Sequence, residues 1–313
     1  MLCTILRSNS IEVKHLTSSA YILHSCKSRP KSEMSTNTYT QGQSDSTVSA
    51  YKRRTAEVEA AFLLPHVRKT DNILDVGCGP GTITTGLAKY ATEGSVIGID
   101  LSREVIDSAR RLAAVSDVPR EGVGSVDFRV GNVLETLDHP DNFFDIVFAS
   151  QVFYHLPLPD VPLQALSEIR RVLKPGGILA TRDGMTQHFY PRRLDLDRLW
   201  VNHAERATLK GVPDMEPTAP SMPRLLRKAG FDVDGGKVRV QVGSSVTATA
   251  EGRRFLARRC TSQLQEGDAF RQSWIDVGIS EEDINRTLAA VREWKQTEDA
   301  WHVVVQCEIL AWK

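Results

Sequence analysis

The stretch that most constrains this chain runs from Ile73 to Thr84 and reads Ile-Leu-Asp-Val-Gly-Cys-Gly-Pro-Gly-Thr-Ile-Thr. Its apolar start, residues 73–76, has the character of a buried strand. Three glycines follow at alternate positions, where a chain can turn sharply and a ligand can approach bare backbone. They are Gly77, Gly79 and Gly81. A helix is expected over 82–90, with its free N–H groups facing the crevice at the strand tip. This order predicts the nucleotide-binding corner of a doubly wound sheet.

An acid inside this stretch indicates which nucleotide fits. The dinucleotide fingerprint is G-x-G-x-x-G, but here the third glycine comes one residue early and Thr82 follows it. Asp75 lies two residues before the first glycine, where a carboxylate would repel a pyrophosphate and attract an α-amino group. The turn therefore favours a cationic nucleoside that carries an amino acid. A tight turn that binds no ligand is the alternative.

The stretch resembles motif I, D-x-G-x-G-x-G, of the class I S-adenosylmethionine-dependent methyltransferases. Three later segments resemble the same family in order and spacing: the acid-ended strand 95–100, the segment 150–156, and Leu-Lys-Pro-Gly-Gly at 173–177. The second of these is similar to the ubiquinone/menaquinone-biosynthesis-type enzymes. The likeness covers 72–182 and weakens afterwards. It implies S-adenosyl-L-methionine as cofactor and an α/β, doubly wound, seven-stranded Rossmann-like sheet, mostly parallel, with the last strand antiparallel.

The tip of the second predicted strand supplies the next candidate residue. Asp100 follows Asp75 by one βαβ unit, where its carboxylate could accept both ribose hydroxyls. It could also serve as the N-cap of a helix over 103–113. Both roles are compatible because the strand tip and the helix start share one corner. Leu101 follows directly and belongs to the same predicted contact.

Two further candidates depend more on the resemblance. Asn132 stands where the family usually has Asp, and its amide carbonyl could accept a hydrogen bond from the adenine amino group; it could also only shape a turn. Tyr51, in a helical pattern over 48–68, could reach the ligand or only pack. The predicted cofactor-binding residues are Tyr51, Asp75, Gly77, Cys78, Gly79, Gly81, Asp100, Leu101, Asn132, Val133, Ser150 and Gln151.

The tip of the fourth predicted strand carries the candidates for chemistry. Ser150 and Gln151 would lie along the methionine end of the cofactor, and His155 could face the methyl group as a general base. His155 could equally cap a helix or line the pocket wall. Because the sulfonium is already activated, the protein mainly has to supply proximity and alignment. No H-E-x-x-H or G-x-S-x-G motif occurs in the sequence, so neither a metal nor a nucleophilic elbow is expected.

The methyltransferase domain is expected over 49–313, with helical insertions at about 186–220 and 247–300 that would form a substrate lid. Three aromatic residues of the first insertion favour a flat or lipophilic acceptor, such as a phenol, polyketide or quinone ring, methylated on oxygen or carbon. They are Phe189, Tyr190 and Trp200. The second insertion could be another wall of the substrate pocket or could only pack against the sheet edge.

Composition restricts the partners and the compartment. The 39 Lys and Arg residues balance 39 Asp and Glu residues, so nothing indicates nucleic acid, and no apolar run has the length of a membrane span. Five cysteines without a C-x-x-C pair favour a reducing compartment. Residues 1–48 are expected to be a disordered or targeting extension. Their basic bias resembles a mitochondrial transit peptide; otherwise a cytoplasmic location is expected. The oligomeric state is left open.

Two other functions remain possible at this point. A methyltransferase-like subunit could bind the cofactor without doing chemistry, since the resembling family has no fixed catalytic residues. A nicotinamide-dependent oxidoreductase on a similar sheet predicts a glycine at position 82 and no acid at position 75, and the sequence has neither feature. The favoured hypothesis is methyl transfer to a small organic acceptor.

Overall fold

A computed structural model describes residues 54–156, 158, 160–212 and 216–313. The predictions for the extension 1–48 and for Tyr51 lie outside the described residues.

A single seven-stranded sheet organises the described part of the chain. Its strands are β1 (Asn72–Val76), β2 (Ser95–Asp100), β3 (Ser125–Val130), β4 (Phe144–Ser150), β5 (Leu173–Tyr190), β6 (Val238–Thr247) and β7 (Trp301–Trp312). Their order across the sheet is β3-β2-β1-β4-β5-β7-β6. The first five strands pair in parallel, and β7 runs antiparallel between β5 and β6. The predicted doubly wound sheet with an antiparallel last strand is confirmed.

The chain order creates a crevice at the carboxyl edge of the parallel strands. From β1 the chain builds outward through β2 and β3, and then returns to place β4 on the other side of β1. The direction of strand addition reverses between β1 and β4. The loops after these two strands therefore lead to opposite faces of the sheet and leave a gap that ligands can occupy. The central strands are buried on both faces, which explains why their sequences are nearly continuous apolar runs.

Helices cover both faces of the sheet. They are α1 (Ala56–Glu59), α2 (Thr82–Ala88), α3 (Arg103–Ala113), α4 (Val161–Val172), α5 (His203–Thr208), α6 (Thr218–Lys228), α7 (Ala250–Gln263), α8 (Ala269–Ile275) and α9 (Glu281–Gln296). The apolar sides of α1, α2 and α3 pack on one face, and those of α4 and α6 pack on the other. Ser280 caps the start of α9, because its hydroxyl accepts from the N–H of Asp283 at 3.1 Å.

The structure differs from the sequence predictions in two places. The helical pattern over 48–68 gives only α1 and a short 3-10 turn at Leu64–His66 among its described residues, since Pro65 cannot donate a helical hydrogen bond. β5 continues to Tyr190, into the segment expected to be the first insertion, because β7 pairs with it from Ile178 to Tyr190.

The remaining helices form a layer of their own beside the extended ends of β5 and β7. Its hydrophobic cluster is built by α5, α7, α8 and α9. Phe189 and Trp200 are 2% and 6% exposed in this cluster. Trp200 packs against Trp274 with ring centroids 5.6 Å apart. Packing therefore accounts for the burial of Phe189 and Trp200, and their predicted contact with an acceptor stays a prediction.

Candidate functional site

The glycine turn after β1 is made of three left-handed residues with different surroundings. Gly77, Gly79 and Gly81 have φ values of +67°, +54° and +81°. A Cβ on Gly77 would lie 2.6 Å from the side chain of Val152, and a Cβ on Gly81 would lie 2.6 Å from the ring of Phe128. At Gly79, no atom of the described residues lies within 4 Å of that position. The turn is therefore packed at both ends and open in its middle.

A matched pair of variants separates these two environments. Both Gly79→Ala and Gly81→Ala place a side chain in a left-handed conformation, at a cost of about 1–2 kcal/mol. Only Gly81→Ala also forces Cβ into the Phe128 ring, so its total loss of unfolding free energy is expected to be about 2–5 kcal/mol. Urea unfolding of the two proteins measures the difference. Equal losses would show that the turn rearranges around Phe128.

Asp75 is a buried residue near the end of β1, just before the turn. It is 2% exposed, and its carboxylate accepts a hydrogen bond from the Thr84 hydroxyl of α2 at 2.6 Å. Burial raises the pKa of Asp75 to about 7; the Thr84 hydrogen bond opposes this shift and the nearby charge of Asp100 adds to it. A buried carboxyl with this pKa can hold or release a proton near neutral pH, so its ionisation responds to any charged group brought beside it.

Asp100 closes the turn from the neighbouring strand. One carboxylate oxygen accepts from the N–H of Gly79 at 3.1 Å, and the other accepts from the N–H of Ser102 at 3.1 Å. The N-cap of α3 is Ser102, whose hydroxyl accepts from the N–H of Val105, so Asp100 supports the helix start without being its cap. Burial is the main reason that the pKa of Asp100 is raised. Leu101 beside it is 63% exposed and offers an apolar surface at the tip of β2.

Cys78 and the tip of β3 complete this side of the crevice. The N–H of Cys78 donates to the carbonyl of Ile99 at 2.9 Å and so joins the turn to β2. Burial raises the pKa of its thiol well above the usual value. The Asn132 carbonyl accepts from the N–H of Leu134 at 3.0 Å, which is turn geometry. Val133 is buried. Asn132 therefore stabilises the turn after β3. Its contact with adenine stays a prediction.

The tip of β4 places two polar residues beside β1. Ser150 is 8% exposed, and its hydroxyl has no hydrogen-bond partner among the described residues. Gln151 has a φ of +60°, an unusual conformation for a residue other than glycine that often marks a functional site. Its side-chain amide donates to the Gln306 carbonyl on β7 at 2.8 Å. Ser150 and Gln151 thus lie at the predicted edge, and their roles stay predictions.

His155 ends a 3-10 turn, Phe153–His155, that follows β4. Its ring lies edge-on to that of Tyr154, with centroids 5.4 Å apart. Desolvation of the ring, followed by the charge of Arg54, lowers the pKa of His155 to about 4. The imidazole is therefore neutral at pH 7 but weakly basic. Its predicted role as a general base stays a prediction.

Three functional candidates were missed by the sequence analysis. Asp183, inside β5, is 2% exposed and accepts from the N–H of Tyr154 at 3.0 Å, so it holds the turn that carries His155. Burial raises its pKa to about 7. An acid close to the end of an apolar run was the signal used for Asp100. Asp183 comes shortly after the apolar run 178–180, so the same signal would have found it. Gln306 and Arg182 gave no comparable signal. The sequence of a strand does not show which of its polar side chains are buried and which face solvent.

The described residues fit an S-adenosylmethionine-like ligand. The position beside Gly79 can admit a ligand against bare backbone, Ser150 offers a buried hydroxyl, and Asp75 and Asp100 offer carboxylates. No group of three or more His, Cys, Asp or Glu residues in the described ranges could hold a metal ion. Within the same ranges, no helix is long and apolar enough to cross a membrane.

Comparisons with known proteins agree with this geometry. A family model described as "Methyltransferase domain" matches residues 74–181. The probable methyltransferase ltbC of Aspergillus luteorubrus is 57% identical over 279 residues, which cover 89% of this chain and 98% of the relative. The uncharacterized methyltransferase C1B3.06c of Schizosaccharomyces pombe is 35% identical over 249 residues, 75% of this chain and 85% of the relative.

A solved structure gives the same result for the fold alone. The YcgJ protein of Bacillus subtilis superimposes with a TM-score of 0.50 at 17% identity, covering 82% of this chain and 97% of that protein.

Proposed function

We propose that this chain methylates oxygen or carbon of a small organic acceptor, aromatic or lipophilic in character. The chain belongs to the class I S-adenosylmethionine-dependent methyltransferases. The observation that carries this proposal is the arrangement at the carboxyl edge: two carboxylates on β1 and β2 flank a turn that is open at Gly79. When bound, S-adenosylmethionine supplies a methyl group activated by its sulfonium. The chain's own residues bind and orient the two substrates.

Each carboxylate has a distinct proposed task. Asp75 is the buried partner for the α-amino group, because an ionised carboxylate there gains a charged hydrogen-bond partner. Asp100 accepts from the ribose hydroxyls while keeping the backbone N–H of Gly79. Leu101 contacts the adenine face, since it is an exposed apolar side chain next to that acid. Asn132, Val133, Ser150 and Gln151 complete the cofactor contacts.

The acceptor is proposed to lie between the tip of β4 and the helical layer. Tyr154 joins these parts: its hydroxyl lies 3.4 Å from the Thr208 hydroxyl of α5. We propose that this layer, made from the two insertions, is the substrate lid. Because the sulfonium already activates the methyl group, alignment of the acceptor beside that group carries the catalysis.

Calorimetric titration of the full chain with S-adenosylhomocysteine, with NAD as control, tests the cofactor assignment. Binding of S-adenosylhomocysteine alone supports it. Methyl transfer is then followed by S-adenosylhomocysteine release with a panel of phenols, quinols and aliphatic alcohols. Cofactor binding without turnover of any acceptor would favour the catalytically silent alternative, and binding of NAD alone would overturn the proposal.

Asp100→Ala is expected to weaken S-adenosylhomocysteine binding by about 2 kcal/mol or more, because a bidentate charged acceptor is removed. This corresponds to a loss of about 30-fold in affinity. Asp127→Ala is the matched control: Asp127 is a half-exposed acid on β3 that pairs with Arg129 at 2.7 Å and accepts from the N–H of Phe128. Calorimetry compares both variants with the unmodified chain. Unchanged affinity in Asp100→Ala would show that the ribose assignment is wrong.

A further inference from the structure

β6 forms one edge of the sheet, and its outer side is open. The strand order ends at β6, and among the described residues no strand lies beyond it. β6 has ten residues and pairs with β7 over its whole length without a register shift. It contains no proline, and its only charged residue is Arg239. Because long, regular and nearly uncharged edges pair readily with other strands, proteins usually blunt them or cover them.

The opposite edge of the sheet is blunted in the usual way. β3 has only six residues. Two of them, Asp127 and Arg129, form an ion pair at 2.7 Å with half-exposed side chains, and charges of this kind oppose pairing with another strand. On β6, the guanidinium of Arg239 lies over the Trp312 ring of its own chain, 5.2 Å from the ring centroid. The two edges therefore differ, and β6 has the character of an edge that is covered.

The hydrogen bonds to β7 show which backbone groups of β6 face outward. The N–H of Trp312 donates to the carbonyl of Lys237 at 2.9 Å, so Lys237 directs its backbone groups toward β7. Successive residues of an antiparallel strand alternate in this respect. Every second residue, beginning with Val238, therefore directs its N–H and C=O groups to the open side. These outward residues are Val238, Val240, Val242, Ser244 and Val246.

The outward residues also carry an apolar row of side chains. Val240, Val242 and Val246 are 53%, 69% and 60% exposed. They lie on one face of the sheet, because side chains two residues apart on a strand point the same way. The open edge therefore presents backbone groups for pairing together with apolar surface that pairing would shield.

A second copy of β6 fits this edge because the strand is complementary to itself. Two antiparallel copies related by a two-fold axis at Val242 place that residue opposite Val242 of the second copy. Val238 then faces Val246, and Val240 faces Ser244. All five outward residues pair in this register, and each pair exchanges two hydrogen bonds, which gives about ten. A complete protein–protein interface typically has about ten direct hydrogen bonds.

Charge and symmetry also favour a second copy as the occupant. In the same register Arg239 faces Ser245, and Gln241 faces Gly243, so like charges do not oppose each other. A contact of one patch with itself closes on pairing and stops at two copies. β6 is four strand positions from β1, roughly 19 Å, so pairing at this edge leaves the crevice after β1 accessible.

We propose that two copies of this chain form a dimer in which the β6 strands pair edge to edge and join the two sheets into one, with Val242 on the two-fold axis. The pairing satisfies the backbone groups of both edges and shields the valine rows from water. It also holds β6 in place, and Ser245 of this strand accepts from the buried Arg182 at 3.1 Å. The inference does not depend on the proposed function, because it is carried by this strand alone.

Sedimentation equilibrium of the full chain tests the dimer, and the expected species has twice the mass of one chain. Val242→Pro removes the outward N–H at the axis but no hydrogen bond to β7. Since proline is accepted on the open side of an edge strand, this variant should keep the circular dichroism spectrum of the unmodified chain and be monomeric. Hydrogen exchange of the outward N–H groups should be slow in the unmodified chain and fast in the variant.

A charge exchange at the axis tests the register without proline. Val242→Lys and Val242→Glu each set two like charges opposite each other, which should raise the dissociation constant about tenfold. An equimolar mixture of the two variants should recover the dimer, because Lys then faces Glu. Val240→Lys is the matched control: it adds the same charge to the same face but meets Ser244, so it should weaken the dimer less than Val242→Lys does.

Three results would overturn the inference. The first is a monomer at every concentration; slow exchange of the outward N–H groups in that monomer would show that another segment of the chain covers β6. The second is a dimer that persists in Val242→Pro, which would place the interface elsewhere. The third is a mixture of Val242→Lys and Val242→Glu that associates no better than either variant alone, because Val242 would then not meet itself.

Discussion

Arg182→Met is expected to lower the free energy of unfolding by about 3–5 kcal/mol, because it leaves buried carboxylates without their cation. Arg182 is 2% exposed on β5. Its guanidinium binds Glu59 of α1, the Glu308 carboxylate of β7 at 3.1 Å, and the Ser245 hydroxyl of β6 at 3.1 Å. Three strands and the first helix therefore meet at one side chain. Urea unfolding measures the loss.

Two controls identify the cause of that loss. Arg227→Met removes an exposed arginine that pairs with Asp234, and a surface pair of this kind contributes about 0–1 kcal/mol. Changing Glu59 and Glu308 to Gln in the Arg182→Met protein removes the stranded charges and should restore part of the stability. A loss in Arg182→Met no larger than that in Arg227→Met would mean that water reaches the cluster and screens it.

Binding of S-adenosylhomocysteine is expected to weaken about tenfold for each pH unit below 7. The pKa of Asp75 in the free protein is about 7, mainly because of burial. In the proposed complex, the Asp75 carboxylate must be ionised to bind the ammonium group. Below pH 7 most free molecules carry a proton on Asp75, and binding must expel it, so apparent affinity falls as pH falls. Above pH 7 the carboxylate is already ionised and affinity levels off. Calorimetric titrations from pH 5 to pH 8 measure this profile.

Asp75→Asn tests whether Asp75 is the group that titrates. The amide keeps the size of the side chain but has no proton to release, so affinity should be lower at pH 8 and nearly independent of pH down to about 5. Proton release can also be read from the dependence of the binding enthalpy on the buffer's ionisation enthalpy. A variant that keeps the full pH profile would assign the titration to another group; Asp100, whose pKa burial also raises, is the first to test.

Local sequence was sufficient for the parallel half of the fold. β2 and α3 begin and end where the sequence predicts, at 95–100 and 103–113. The arrangement at the carboxyl edge could be predicted for the same reason: Asp75 and Asp100 lie in the last two residues of their strands, Gly79 follows β1, and neighbouring parallel strands bring their carboxyl ends together. Each of these features is encoded within a few consecutive residues, so a pattern in the sequence can show it.

What only the tertiary structure decided lies on β5 and β7. The length of β5 depends on β7 as its hydrogen-bonding partner, and the sequence after Asp183 has no apolar alternation to predict that pairing. Arg182 meets Glu59 and Glu308 across 123 and 126 residues, and Gln151 meets Gln306 across 155. These contacts follow from strand order and register, which bring distant segments side by side. The sequence shows which side chains are polar. Which of them share a buried site depends on the order and register of the strands in the sheet.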